Sequence, residues 1–326
     1  MGVGIMQGVL MNELRIECDT DVLVPGEAVR VRVVLVLGES VKVRGVHAEF
    51  WGAEETRAVY TTYNAATKST QVQTAVQHED VVKEEYLLSG RERKGFVGTV
   101  ADGFATLFGG GEHDVLRAGV YEFEAELVLP AGAPVSFEGA KCRVFYELKA
   151  WVDVPMGRDM KAKRSFEVKG DVAVIDGVGG GLPMVVKYPE DKAKGFWDSW
   201  LKPDVKVEAG LDRDVLRAGE VVGGTFVMET GERLAYRSIK VRLVCVEKSE
   251  AHGHHDGHTH EGAAHEVAGE GVIEGIYSAD FELPIECVGP IAAKGKRFAV
   301  EHFVQIELDV PWAKDPKVLL PVRVVG

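Results

Sequence analysis

Six of the chain's ten histidines fall between His252 and His265, in the run His252-Gly253-His254-His255-Asp256-Gly257-His258-Thr259-His260-Glu261, with His265-Glu266 close behind. Neutral imidazole is a preferred nitrogen ligand for Zn, Ni and Cu, and Gly253 and Gly257 give a loop the backbone freedom to wrap an ion. His252, His254, His255, His258, His260 and His265 are therefore the candidate metal ligands, and no other feature of the chain calls for a cofactor. A mobile polar loop whose length is free to vary explains the same residues without a metal. The spacing argues against a catalytic zinc, which needs three ligands fixed by separate parts of a scaffold rather than one flexible run.

Two other groups of residues suggest contact surfaces. Phe96, Val100, Phe104 and Phe108 recur every fourth residue, closed by Gly109-Gly110-Gly111, which predicts a short amphipathic helix. The basic residues Arg91, Arg93 and Lys94 stand directly before it, so the stripe either packs on a sheet or meets a partner or an anionic membrane surface. Trp197 and Trp200 lie in a Gly- and Pro-bearing stretch, where they read as an interdomain contact. Enzyme motifs are lacking: Gly177-Val178-Gly179-Gly180-Gly181 has no Lys-Ser/Thr after it, and neither a Gly-x-Ser-x-Gly elbow nor a His-Glu-x-x-His helix occurs.

These groups hang on a repeated framework. Asp21 to Val29 (DVLVPGEAV) returns as Asp214 to Val222 (DVLRAGEVV), and in the same offset of 193 residues Arg44 to Glu54 lies over Arg237 to Glu247. At a shorter offset, Glu126 to Pro130 (ELVLP) returns as Asp280 to Pro284 (DFELP), and Val152 to Asp159 (VDVPMGRD) as Leu308 to Asp315 (LDVPWAKD). The chain is thus an internal duplication whose copies differ in mid-length, the His-rich segment standing where copy one has the polar stretch Thr56 to Gln77. Within each copy Val29, Val31, Val33, Leu35 and Leu37 alternate with other residues, as do Tyr121, Phe123, Ala125, Leu127 and Leu129 with Glu122, Glu124 and Glu126. That period of two, broken by Pro and Gly turns, predicts an all-β chain of two tandem sandwiches. The expected division is a sandwich over 1–186, a linker over 187–202 and a sandwich over 203–326.

A net charge of −13 excludes a general nucleic-acid binder, and no stretch is apolar for the roughly 20 residues of a membrane span. Met1 to Leu10 lacks the basic start of a signal peptide, so the expected location is the cytoplasm, with Cys18, Cys142, Cys245 and Cys287 as reduced thiols.

Pro134-Val135-Ser136-Phe137-Glu138-Gly139 followed by Val144-Phe145-Tyr146-Glu147-Leu148-Lys149-Ala150 resembles the N-domain of the arrestin superfamily, most like the α-arrestins and arrestin-domain proteins. Leu201 to Val207, Val300 to Val304 and Leu319 to Val322 resemble its C-domain. The resemblance implies two immunoglobulin-like sandwiches, the first with one short helix, and a non-enzymatic adaptor that holds protein partners; the histidine run adds metal at the His segment as the expected modulator. A metal-binding protein using that segment is one alternative; a regulator similar to bacterial sporulation-control proteins, which also resemble arrestins, is another. The chain holds no Pro-Pro-x-Tyr motif, so the resemblance does not extend to recruiting ubiquitin ligases. Its partners are expected to be proteins, with peripheral membrane contact and a homo-oligomer both compatible with the sequence.

Overall fold

A computed structural model describes residues 12–89, 114–169, 184–188 and 205–325, all of them strand, turn or irregular backbone. The expected helix, with Arg91, Arg93, Lys94, Phe96, Val100, Phe104 and Phe108, lies outside the described residues, and so do Trp197 and Trp200.

Copy one contains β1 (Glu13–Cys18), β2 (Val22–Leu23), β3 (Ala28–Leu37), β4 (Val41–Val43), β5 (Gly45–Asn64) and β6 (Ser69–Ser89). It continues with β7 (Asp114–Leu116), β8 (Gly119–Val128), β9 (Phe137–Glu138), β10 (Cys142–Asp153) and β11 (Met160–Val168). Copy two begins with β12 (Met184–Tyr188), β13 (Val205–Leu211), β14 (Val215–Arg217), β15 (Val221–Thr230), β16 (Leu234–Tyr236) and β17 (Ser238–Ala251). Then follow β18 (His254–Glu261), β19 (His265–Ala268), β20 (Gly271–Ile273), β21 (Ile276–Pro284), β22 (Ala293–Lys294), β23 (Phe298–Asp309) and β24 (Lys317–Val325).

The duplication is visible in the pairing. Copy one places β1-β3-β8 in one sheet and β2-β11-β10-β5-β6 in another, with a β4-β7 ribbon; copy two has β12-β13-β15-β21, β14-β24-β23-β17-β18 and a β16-β20 ribbon. Strand for strand, β1, β3 and β8 correspond to β13, β15 and β21, and a parallel pair, β2 with β11 in copy one and β14 with β24 in copy two, recurs in place. The added β12, which pairs antiparallel with β13, extends the second copy's smaller sheet.

β3 shows why these residues form a sandwich. Val31, Val33, Leu35 and Leu37 are buried while Arg30 and Arg32 face water, as the alternation predicts, and Val34 is buried as well. Leu35, Leu37, Val43, Val46, Leu116 and Val152 form one core cluster of the first copy, and Phe50 meets Phe166 edge-on at 6.3 Å. In the second copy Phe226, Met228, Ile239, Val241, Val304 and Ile306 are buried on the equivalent strands.

The chain divides into two compact units: Met1–Glu55 with His78–Ser136 and Arg143–Asp171, and Thr56–Gln77 with Phe137–Cys142 and Val172–Gly326. The distal part of the β5-β6 hairpin and Phe137–Cys142 group with the second unit. Two segments read as loops are strands: Thr56 to Gln77 is the end of the β5-β6 hairpin, and the His-rich segment is chiefly β18, paired with β17 from Val244↔Glu261 to Ala251↔His254. Hydrogen bonding to a strand already fixed by its own buried residues overrides the weak strand preference of Gly, His and Asp.

Candidate functional site

One turn recurs at the same place in each unit. Between β10 and β11, Gly157 N donates to Val154 O at 3.2 Å; between β23 and β24, Ala313 N donates to Val310 O at 3.4 Å. Pro155 and Pro311 take the second turn position, which suits their fixed φ, and the third falls to Met156 at φ 55° and Trp312 at φ 61°. That position calls for a left-handed residue, ordinarily Gly or Asn, and a bulky side chain there costs about 1 kcal/mol.

Each turn is held from both sides. The Asp159 carboxylate accepts from Val154 N at 3.2 Å, and Asp315 accepts from Val310 N at 3.0 Å. Arg44 N donates to Asp153 O and Arg237 N to Asp309 O, both at 2.8 Å, while each guanidinium also reaches the aspartate side chain. The backbone is thus fixed in an unfavourable conformation, and nothing is gained by burial, since Met156 is 104% exposed and Trp312 95%. A large apolar side chain presented to water at a conformational cost is the arrangement expected of a contact residue.

In the second unit the tip of the β5-β6 hairpin is fastened to β17 and β18. Thr56 Oγ1 donates to Glu250 O at 2.8 Å, Ser249 Oγ to Arg57 O at 2.7 Å, and Val59 N to Asp256 Oδ2 at 2.8 Å. Lys141 Nζ meets the same Asp256 oxygen at 2.6 Å. Burial alone would raise the Asp256 carboxyl, but the Lys141 ammonium and the Val59 and Gly257 N–H groups hold it below its ordinary value. Glu247, fully buried, accepts from Ala140 N at 2.9 Å, Lys141 N at 2.8 Å and the His260 ring at 2.5 Å. Burial pushes its carboxyl up, and the His260 ring with the two backbone donors more than reverses this, so it sits below the ordinary carboxylate range.

The six candidate metal ligands are spread along this framework. His252 N donates to Gln77 Oε1 and its ring to Val76 O, at 2.8 and 3.1 Å. His254 stacks on Tyr60 at 3.7 Å, His258 and His260 lie edge to face at 4.5 Å, His255 is exposed, and His265 opens β19. Strand alternation puts His254, His258 and His260 on one face and His255 on the other. Among the described residues no group of three or more His, Cys, Asp and Glu is placed to hold a metal ion. The contacts of His252 and His254 tie the β17-β18 hairpin to β6 and β5, and that of His260 joins its own two strands.

Residues 13–174 match the family of the arrestin (or S-antigen) N-terminal domain. The first sandwich is similar to the arrestin N-terminal domain. Comparison with curated proteins finds no match. Among the described residues no helix is long and apolar enough to cross a membrane. Met156 and Trp312 were the arrestin-like chain's overlooked residues: the matched segments VDVPMGRD and LDVPWAKD contain them, and a bulky apolar residue directly after a turn proline is the signal that marks them.

Proposed function

We propose that the chain is a non-enzymatic, arrestin-like adaptor, its second sandwich taking the part of the arrestin C-domain, that binds a protein partner through the β10-β11 and β23-β24 turns. The observation that carries this reading is the pairing of conformational cost with full exposure at Met156 and Trp312. Trp and Met are enriched where protein surfaces meet, and a turn held by its flanking Asp and Arg residues presents them without further ordering of its backbone on binding. The superfamily match over the first sandwich supports an adaptor over an enzyme, and the missing nucleophile and phosphate-loop motifs agree. Within the superfamily we place the chain nearest the α-arrestins and arrestin-domain proteins, acting in the cytoplasm.

The test is affinity capture from native extract, read by mass spectrometry, with the unaltered chain, Trp312→Gly, Met156→Gly and the double variant. The reading expects discrete proteins retained by the unaltered chain and depleted with one or both variants, each variant melting no lower than the parent. An identical set of captured proteins from all four would refute it.

A further inference from the structure

β6 ends its sheet, in the order β2-β11-β10-β5-β6, and among the described residues no strand pairs with its outer edge. Natural edge strands are guarded by charge, proline or a bulge. From Ser69 to His78 this one has no Asp, Glu, Lys, Arg, Pro or Gly. Thr70 to Thr74 are all exposed, Val72 at 72%. Those five residues, Thr70-Gln71-Val72-Gln73-Thr74, read the same in both directions.

The main chain of that segment also points the right way. Arg57 N donates to Lys141 O, Arg57 O accepts from Ser249, and Val59 N donates to Asp256, so these odd-numbered residues of β5 turn their polar groups away from β6. The hairpin closes from Asn64 to Ser69, which sets odd residues of β5 opposite even residues of β6. In an antiparallel pair, residues opposite one another that share no bonds both face outward. Thr70, Val72 and Thr74 therefore present N–H and C=O to the open edge. Val76 follows the same rule, and its outward carbonyl accepts from the His252 ring, which closes the edge at that point.

We propose that β6 pairs antiparallel with β6 of a second copy of this chain, across a two-fold axis at Val72. Only self-pairing makes use of a palindrome: Thr70 then faces Thr74 of the partner subunit, Gln71 faces Gln73 of the partner subunit, and Val72 faces Val72 of the partner subunit. Like side chains meet in each case, with hydroxyls and amides able to bond across and no charge opposed to its own sign. An unrelated strand would gain nothing from the symmetry. Strand β18, the matching edge in copy two, carries Asp256 and Glu261 and reads differently in its two directions. The pairing uses none of the residues of the proposed adaptor turns and does not depend on them.

Sedimentation equilibrium of the full chain tests the pairing, with Val72→Lys as the disrupting variant and far-UV circular dichroism melts to verify its fold. The unaltered chain should dimerise, and Val72→Lys, which sets two like charges across the axis, should weaken the dimer by about tenfold or more. Site-directed oxidation fixes the register independently. Val72→Cys should form a disulfide-linked dimer above the background of the unaltered chain, whose Cys287 is exposed, and Thr70→Cys should not. A monomeric unaltered chain, a dimer indifferent to Val72→Lys, or equal cross-linking at the two positions would each overturn the proposal.

Discussion

Trp312 and Glu247 stand at opposite ends of what a side chain can do for a fold. The indole at Trp312 is 95% exposed on a left-handed backbone, so removing it should cost the fold nothing. Trp312→Gly is expected to leave the unfolding free energy unchanged or to raise it by up to about 1 kcal/mol, as relief of the φ preference offsets the greater freedom of the unfolded chain. Urea titration measures this, and a loss of more than about 1 kcal/mol would mean that the indole packs against the protein. Glu247 is the reverse case, a buried carboxylate ringed by three donors. Glu247→Gln turns one acceptor into a donor facing N–H groups, and should lower stability by about 2 kcal/mol in the same titration. The histidine run is conspicuous in the sequence, yet Glu247, which accepts from His260, sits inside an unremarkable apolar strand and gives no local sign of its burial. Its role depends on Ala140 and Lys141, more than a hundred residues away.

Among the elements, the alternating strands were readable and the polar hairpins were not. β3 and β8 carry period-two patterns strong enough to declare themselves, whereas Thr, Gln and His in the ends of β5, β6 and β18 obscure the same period, because few of their positions enter a core. The strands also impose local limits that composition does not reveal. Gly52 on β5 faces the ring of Tyr146 on β10, and a Cβ there would overlap Tyr146 Cδ1. Gly52→Ala should therefore destabilise the protein by about 1–3 kcal/mol. Gly132→Ala, with nothing within 4 Å of the added carbon, is the matched control and should leave the melting temperature almost unchanged. Equal effects at the two sites in a calorimetric scan would refute the packing argument.

For the molecule as a whole, acid should act in stages. His302 is buried, its ring donating to Val288 O at 3.1 Å, and burial depresses its pKa, with the nearby His260 adding to the depression. A base held neutral in the fold but free to protonate when unfolded contributes fully above its unfolded pKa of about 6.5 and progressively less below it. Glu247, whose folded pKa is lowered, contributes above the unfolded value of about 4.3 and loses that contribution as pH falls through the folded one. Melting temperature should thus decline from about pH 6.5 downward and steepen in the carboxylate range. His302→Leu should flatten the upper limb, and an unchanged slope between pH 5 and 6.5 would sink the assignment. At this scale the sequence was most informative, since two copies at fixed offsets disclose the two sandwiches before any strand is drawn, while the grouping of Thr56–Gln77 with the second unit depends on which strands meet in space. The duplication also sorts the features by reach. The aspartate-held turn, its arginine clamp and a bulky residue at its apex belong to the repeated unit, whereas the palindromic edge and the histidine-studded edge each belong to one copy alone, so a change to either edge leaves the shared plan untouched.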